Sequence, residues 1–134
     1  MQRSIAGQNV NADTLAKIIG GIFLIVGILG FFPNPLVSWR GLFDVNTVHN
    51  VVHLVSGGIL LAAPSYNSSG MALRVIGIVY GIITVIGFIS TDALSWMAVN
   101  GPDNWLHLAI SALMIWGGYM LPSEGADRVT TAHM

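Results

Sequence analysis

The stretch VNTVHNVVHLVSGG, residues 45–58, sets two histidines and an asparagine inside an otherwise apolar run. A near copy, VNGPDNWLHLAISA, occupies residues 99–112. Both fit V-N-x-x-[H/D]-N-x-x-H-L followed by small residues. A polar side chain in apolar surroundings costs free energy unless it has a partner. A polar motif written twice therefore has a physical cause.

Outward from the motif, the correspondence extends along most of the chain. Asn46 and Asn100, Asn50 and Asn104, and His53 and His107 share a spacing of 54. Upstream, Lys17 and Arg74, Gly20 and Gly77, Phe23 and Tyr80, Gly30 and Gly87, and Trp39 and Trp96 share a spacing of 57. Four apolar segments run over residues 15–32, 48–63, 72–89 and 105–121. Each is near the lower limit of about 17 residues for crossing a hydrocarbon core of about 30 Å. The expected fold is therefore all-α, an integral membrane four-helix bundle made of two tandem two-helix repeats. The transmembrane domain covers residues 15–121, with repeat one at 15–66 and repeat two at 72–121. A flexible N-terminus (1–14) and a disordered tail (122–134) flank it. A unit with an even number of spans returns the chain to its starting side, so the second copy inserts the same way up as the first. Both motifs then lie at one depth, on one side, at the starts of the second and fourth helices.

Composition agrees with a lipid environment. The chain of 134 residues is 54% hydrophobic and 8% charged, against about 25% charged in soluble domains. Five basic against six acidic residues, net −1, leave no patch to neutralise phosphates, so nucleic acid is not an expected partner. With no cysteine, disulfides, thiolate catalysis and iron–sulfur ligation are excluded. The first apolar segment is longer than a signal-peptide core and lacks a following A-x-A-like site, so it reads as a retained span. Arg3, Lys17, Arg74 and Arg128 fall on one side of the four-span arrangement and Arg40 on the other. The positive-inside rule then places both termini in the cytoplasm.

Helical spacing puts the motif side chains on shared faces. His49 and His53 are four apart, as are Asp103 and His107; Asn50 and Asn104 precede His53 and His107 by three. The candidate ligand-binding cluster is His49, Asn50, His53, Asp103, Asn104 and His107. Two explanations stand. In the structural one, Asn and His bond across helices, Asn46 or Thr47 caps the second helix, and Asp103 after Pro102 suits the start of the fourth. In the ligand-site one, His49, His53, His107 and Asp103 match the donor chemistry of a Zn²⁺ or other divalent site. The asparagines fit a small polar ligand, a quinone or a lipid headgroup better than a metal. No cofactor is assigned.

The paired stretches FDVNTVHNVVHLVSGGILLAA and VNGPDNWLHLAISALMI resemble the signatures of an uncharacterised bacterial family of four-span membrane proteins, the domain of unknown function 4383. The resemblance covers residues 15–121 and implies a multi-pass protein of the bacterial cytoplasmic membrane. It implies no activity.

The remaining features have structural explanations. Gly77-x-x-x-Gly81 and Gly20, Gly27 and Gly30 allow close helix approach. They would serve packing within the chain, or a homo-oligomer or membrane partner. Phe23 and Tyr80 read as core or lipid-facing, and Ser56 as bonded to its own helix backbone. No nucleophile with a base and no phosphate loop is visible. The expected function is a non-enzymatic membrane component with structural Asn/His motifs. The alternative is a ligand-, metal- or cofactor-binding membrane protein.

Overall fold

The computed structural model describes residues 10–123. Helix α1, Ala12–Leu29, starts where the Asn11 side chain accepts the Thr14 N–H at 2.8 Å. That cap satisfies one of the amide groups a helix start leaves without a partner. The loop that follows is organised by Asn34. Its carbonyl accepts from Leu36 and Val37, and its amide donates to the carbonyls of Leu29, Phe32 and Val37. Two short strands, β1 (Val37–Ser38) and β2 (Phe43–Asp44), pair in parallel within this loop.

Helix α2, Thr47–Ala62, starts under Asn46, whose side chain accepts the His49 N–H at 3.0 Å. It runs on into a 3-10 turn, Ala63–Tyr66, that ends at Asn67 in the left-handed conformation. Helix α3, Ser69–Ile89, leads into a second 3-10 helix, Thr91–Met97. Ala98 then turns the chain with a φ of 57°. Helix α4, Gly101–Met120, opens with a capping box. The Asn100 side chain accepts the Asp103 N–H, and the Asp103 carboxylate accepts the Asn100 N–H.

Helices α1 and α2 pack along each other, as do α3 and α4, with lighter contact between the two pairs. Glycines set the closeness. Gly20 and Gly57 face one another across α1 and α2, and Gly77 receives Met114 and Ile115 of α4. Phe23, Leu60, Leu73 and Met114 form the fully buried centre. Ile18, Ile25, Val75, Ile82 and Val85 point outward and exposed. An apolar exterior of that extent is the surface of a protein solvated by lipid. At one end of the molecule the Ala12 N–H donates to the Pro122 carbonyl at 2.9 Å, and the Ser69 hydroxyl donates to the Asp13 carboxylate. The start of α1, the start of α3 and the end of α4 therefore meet.

The expectation of a four-span bundle of two tandem repeats is corrected by this architecture. Counting the turn Ala63–Tyr66 as part of the helix it extends, the described residues form five helical segments. Three of them, Ala12–Leu29, Thr47–Tyr66 and Ser69–Ile89, are long and apolar enough to cross a membrane. Helix α4 is long enough, but Asp103, Asn104 and His107 in its first two turns lower its apolarity. The connections differ as well. The first folds into a strand pair and the second into a 3-10 helix. Similar motifs thus sit in unlike local frames, and counting apolar runs did not register either the polar start of α4 or these loops. Of the segments read as a flexible start and a disordered tail, residues 1–9 and 124–134 lie outside the described residues. Asn11 to Thr14 form the cap and first turn of α1.

Candidate metal centre

The Asn46 cap fixes where α2 begins, and so sets His49 and His53 on successive turns of its inward face. The capping box at Asn100 does the same for His107 in the second turn of α4. The three imidazoles converge. One ring nitrogen of each lies within 4.8 Å of those of the other two. Each residue is at most 6% exposed. The rings of His49 and His53 meet edge-on at 4.5 Å between centroids, and His107 stands 5.8 Å from His49 and 6.2 Å from His53.

The surroundings orient these rings. His49 Nδ1 lies 3.0 Å from the Met97 carbonyl. A carbonyl only accepts, so Nδ1 carries the proton and Nε2 presents a lone pair. Backbone carbonyls orient metal-bound histidines in this way. Phe23 stacks on His53 at 5.4 Å, and Tyr80 meets His107 edge-on at 5.3 Å. Tyr80 is itself held by stacking on Phe23 and by a 3.1 Å hydrogen bond between its hydroxyl and Ser56. Ser56 thus bonds across to α3 rather than to its own helix, whereas Ser111 donates to the Leu108 carbonyl of its own helix.

Both nitrogens of His53 and Nδ1 of His107 are buried with no hydrogen-bond partner in the protein. Such atoms are uncommon, because an unmade buried hydrogen bond costs about 1–3 kcal/mol. A void of about 10 Å³ touches all three imidazoles and Tyr80. A second cavity, about 130 Å³, adjoins His53 and His107 from the side of α1.

The other three residues of the six take different places. Asp103 lines the larger cavity, but its carboxylate closes the capping box at 3.0 Å from the Asn100 N–H. It is not among the converging donors. The side-chain oxygen of Asn50 lies against Gly30, 1.9 Å from where a Cβ would stand, and that of Asn104 lies 2.0 Å from the same point on Gly87. A glycine Cα–H points at each oxygen, the arrangement of a weak C–H···O contact. Asn46 and Asn100 carry a second role that the motif spacing does not reveal. Beyond capping, the Asn46 amide donates to the Trp96 carbonyl at 2.8 Å, and the Asn100 amide donates to the Leu42 carbonyl at 3.0 Å. Each cap ties its helix to the loop preceding the other. Tyr80 and the Met97 carbonyl were also not anticipated at the site. The match of Tyr80 with Phe23 at a spacing of 57 was the available signal for the former.

Three neutral imidazoles suit Zn²⁺ or a similar divalent ion, with one position of a tetrahedron left open. Bonds of about 2.0–2.1 Å place ligand nitrogens about 3.4 Å apart. Nitrogens at the 4.8 Å limit close by about 1.4 Å on loading, within the reach of ring rotation.

Fold and site together define a small, largely helical membrane protein with a buried cluster of three imidazoles. The chain belongs to the family described as Domain of unknown function (DUF4383), whose model matches residues 13–120. No curated protein and no solved structure matches it.

Proposed function

We propose that this protein binds a divalent transition-metal ion, Zn²⁺ in the first instance, through His49, His53 and His107. The observation that carries the proposal is His53, which is buried with neither ring nitrogen paired and stands within reach of two further imidazole nitrogens. Histidines serving as interhelical glue would have those nitrogens bonded across the helices. Here the structural work of the motifs is done by Asn46, Asn100 and Asp103. The three imidazoles are left with donor capacity that a cation satisfies. The proposal is for binding and not for turnover. The carboxylate that reaches the adjoining cavity, Asp103, is engaged at a helix cap, and apart from His53 and His107 the rest of that cavity wall is apolar.

In this reading the protein sits in the bacterial cytoplasmic membrane with both ends in the cytoplasm, because α4, though less apolar than the three candidate spans, packs along α3 and returns the chain to the end where Ala12 meets Pro122. Lys17 and Arg74 lie in the second turns of α1 and α3, near the end where Ala12 meets Pro122. Basic residues favour the cytoplasmic face. The triad is then nearer the outer face, at the starts of α2 and α4.

Metal analysis of detergent-purified protein tests the proposal. Chelator-treated protein dialysed against Zn²⁺ is expected to retain one ion per chain. His53→Ala and His107→Ala are expected to lose it while keeping the helical circular dichroism spectrum. If wild-type protein retains no Zn²⁺ or Co²⁺ above the level of the His53→Ala variant, the proposal fails and the histidines are packing residues.

A further inference from the structure

The larger cavity beside the triad has a shape and lining of its own. At about 130 Å³ it is close to the volume of an engineered apolar cavity, about 150 Å³, that holds a benzene molecule. Its walls are apolar side chains from α1, α4 and the strand loop, among them Val26, Phe43, Val45 and Ile110. The polar groups that reach it are His53, His107 and Asp103. His53 and His107 border both this cavity and the ion-sized void, so the two spaces share a wall of imidazole. Two of its lining residues, Ile22 and Leu106, are also exposed on the outward face of the helices. Access therefore runs from the lipid side.

The geometry points to a second ligand. The cavity takes a small neutral molecule, one ring in size, apolar over most of its surface and carrying a single donor atom that meets the imidazole wall. Burying such a ring is favourable at about 25 cal/mol per Å² of apolar area. The donor atom would otherwise be buried without a partner, and the unpaired nitrogens of His53 and His107 supply one. An ionic or strongly polar molecule has no match along the apolar walls. A metal held by the triad would stand against the same imidazole wall and would offer the donor atom a Lewis-acid partner. The inference rests on the metal proposal for that last contact alone. The cavity and its orphaned nitrogens are present without the ion.

The test uses 4-fluorophenol and fluorine NMR on the full-length protein in detergent. Metal-free protein is expected to bind the probe saturably, with displacement by unlabelled phenol. Filling the cavity from either wall, with Ile110→Phe on α4 or Val26→Phe on α1, is expected to abolish the saturable component. Loading with Co²⁺ is expected to broaden the bound signal, since the paramagnetic ion would lie next to the ring. If the probe only partitions without saturation, or if saturable binding survives in both filled variants, the inference is overturned. If Co²⁺ is not taken up while binding stays saturable and is lost in the filled variants, the metal proposal falls and the cavity site stands.

Discussion

Gly57 and Gly58 are neighbours with opposite surroundings. A Cβ on Gly57 would stand 2.8 Å from the Gly20 carbonyl oxygen and 2.9 Å from the Leu24 nitrogen, both backbone atoms of α1. They move only if the helix moves. A Cβ on Gly58 would have nothing within 4 Å. Gly57→Ala is therefore expected to destabilise the protein by about 1–3 kcal/mol, the range for overpacking. Gly58→Ala is expected to be neutral or stabilising by up to about 1 kcal/mol through its better helix propensity. Thermal unfolding of the two variants in one detergent measures both. At the same scale, the pairing of His49 with His53 on a helix face follows from their spacing alone. The carbonyl that orients His49 does not. The Met97 carbonyl reaches His49 directly before Ala98 turns the chain in the left-handed conformation, and alanine gives no sequence signal for that turn. Asp103 shows the converse. Its spacing to His107 made it a candidate ligand, yet the capping box uses the same carboxylate, and sequence spacing does not separate the two roles.

Among the elements, the starts of α2 and α4 hold the most information per residue. Asn100 does two jobs that substitution can separate. Its oxygen caps α4, and its amide ties that helix to Leu42 in the strand loop. Asn100→Asp keeps the cap acceptor and loses the donor. Asn100→Ala loses both. The alanine variant is expected to be the less stable of the two by about 1 kcal/mol, the worth of an N-cap. Chemical denaturation of both variants alongside wild type reads the difference. If the aspartate variant is as unstable as the alanine one, the tie and not the cap carries Asn100. The helix starts were legible because Asn caps, Pro102 at the first turn and Asp103 are local signals. The strand pair was not, because its geometry comes from Asn34 holding six neighbouring groups in place rather than from any alternation of apolar residues. The 3-10 helix Thr91–Met97 was equally hidden, being a short run with no period of its own to detect.

For the molecule as a whole, the sequence made the membrane setting plain through its sparse charges and long apolar runs. It read four apolar runs as equivalent, whereas three helices have the length and apolarity of a span and α4 brings its polar motif into the window that a span would need. The hydrogen bond from Ala12 to Pro122 brings the two ends of the described chain together. Reporter fusions at the N- and C-termini are expected to register the same compartment, with green fluorescent protein bright and alkaline phosphatase silent at each. Opposite signals at the two ends would remove the proposed topology.

The two helix pairs touch each other lightly compared with the packing inside each pair. His53 belongs to one pair and His107 to the other. An ion gripped by both would act as a rivet through a thin seam, adding to the hydrogen bonds from Asn46, Ser56, Ser69 and Asn100 that already cross it. A ligand bound only by the folded state adds RT ln(1 + [L]/Kd), about 2.7 kcal/mol at a hundredfold excess over Kd. Added Zn²⁺ should therefore raise the melting temperature of wild-type protein, and leave that of His107→Ala where it was.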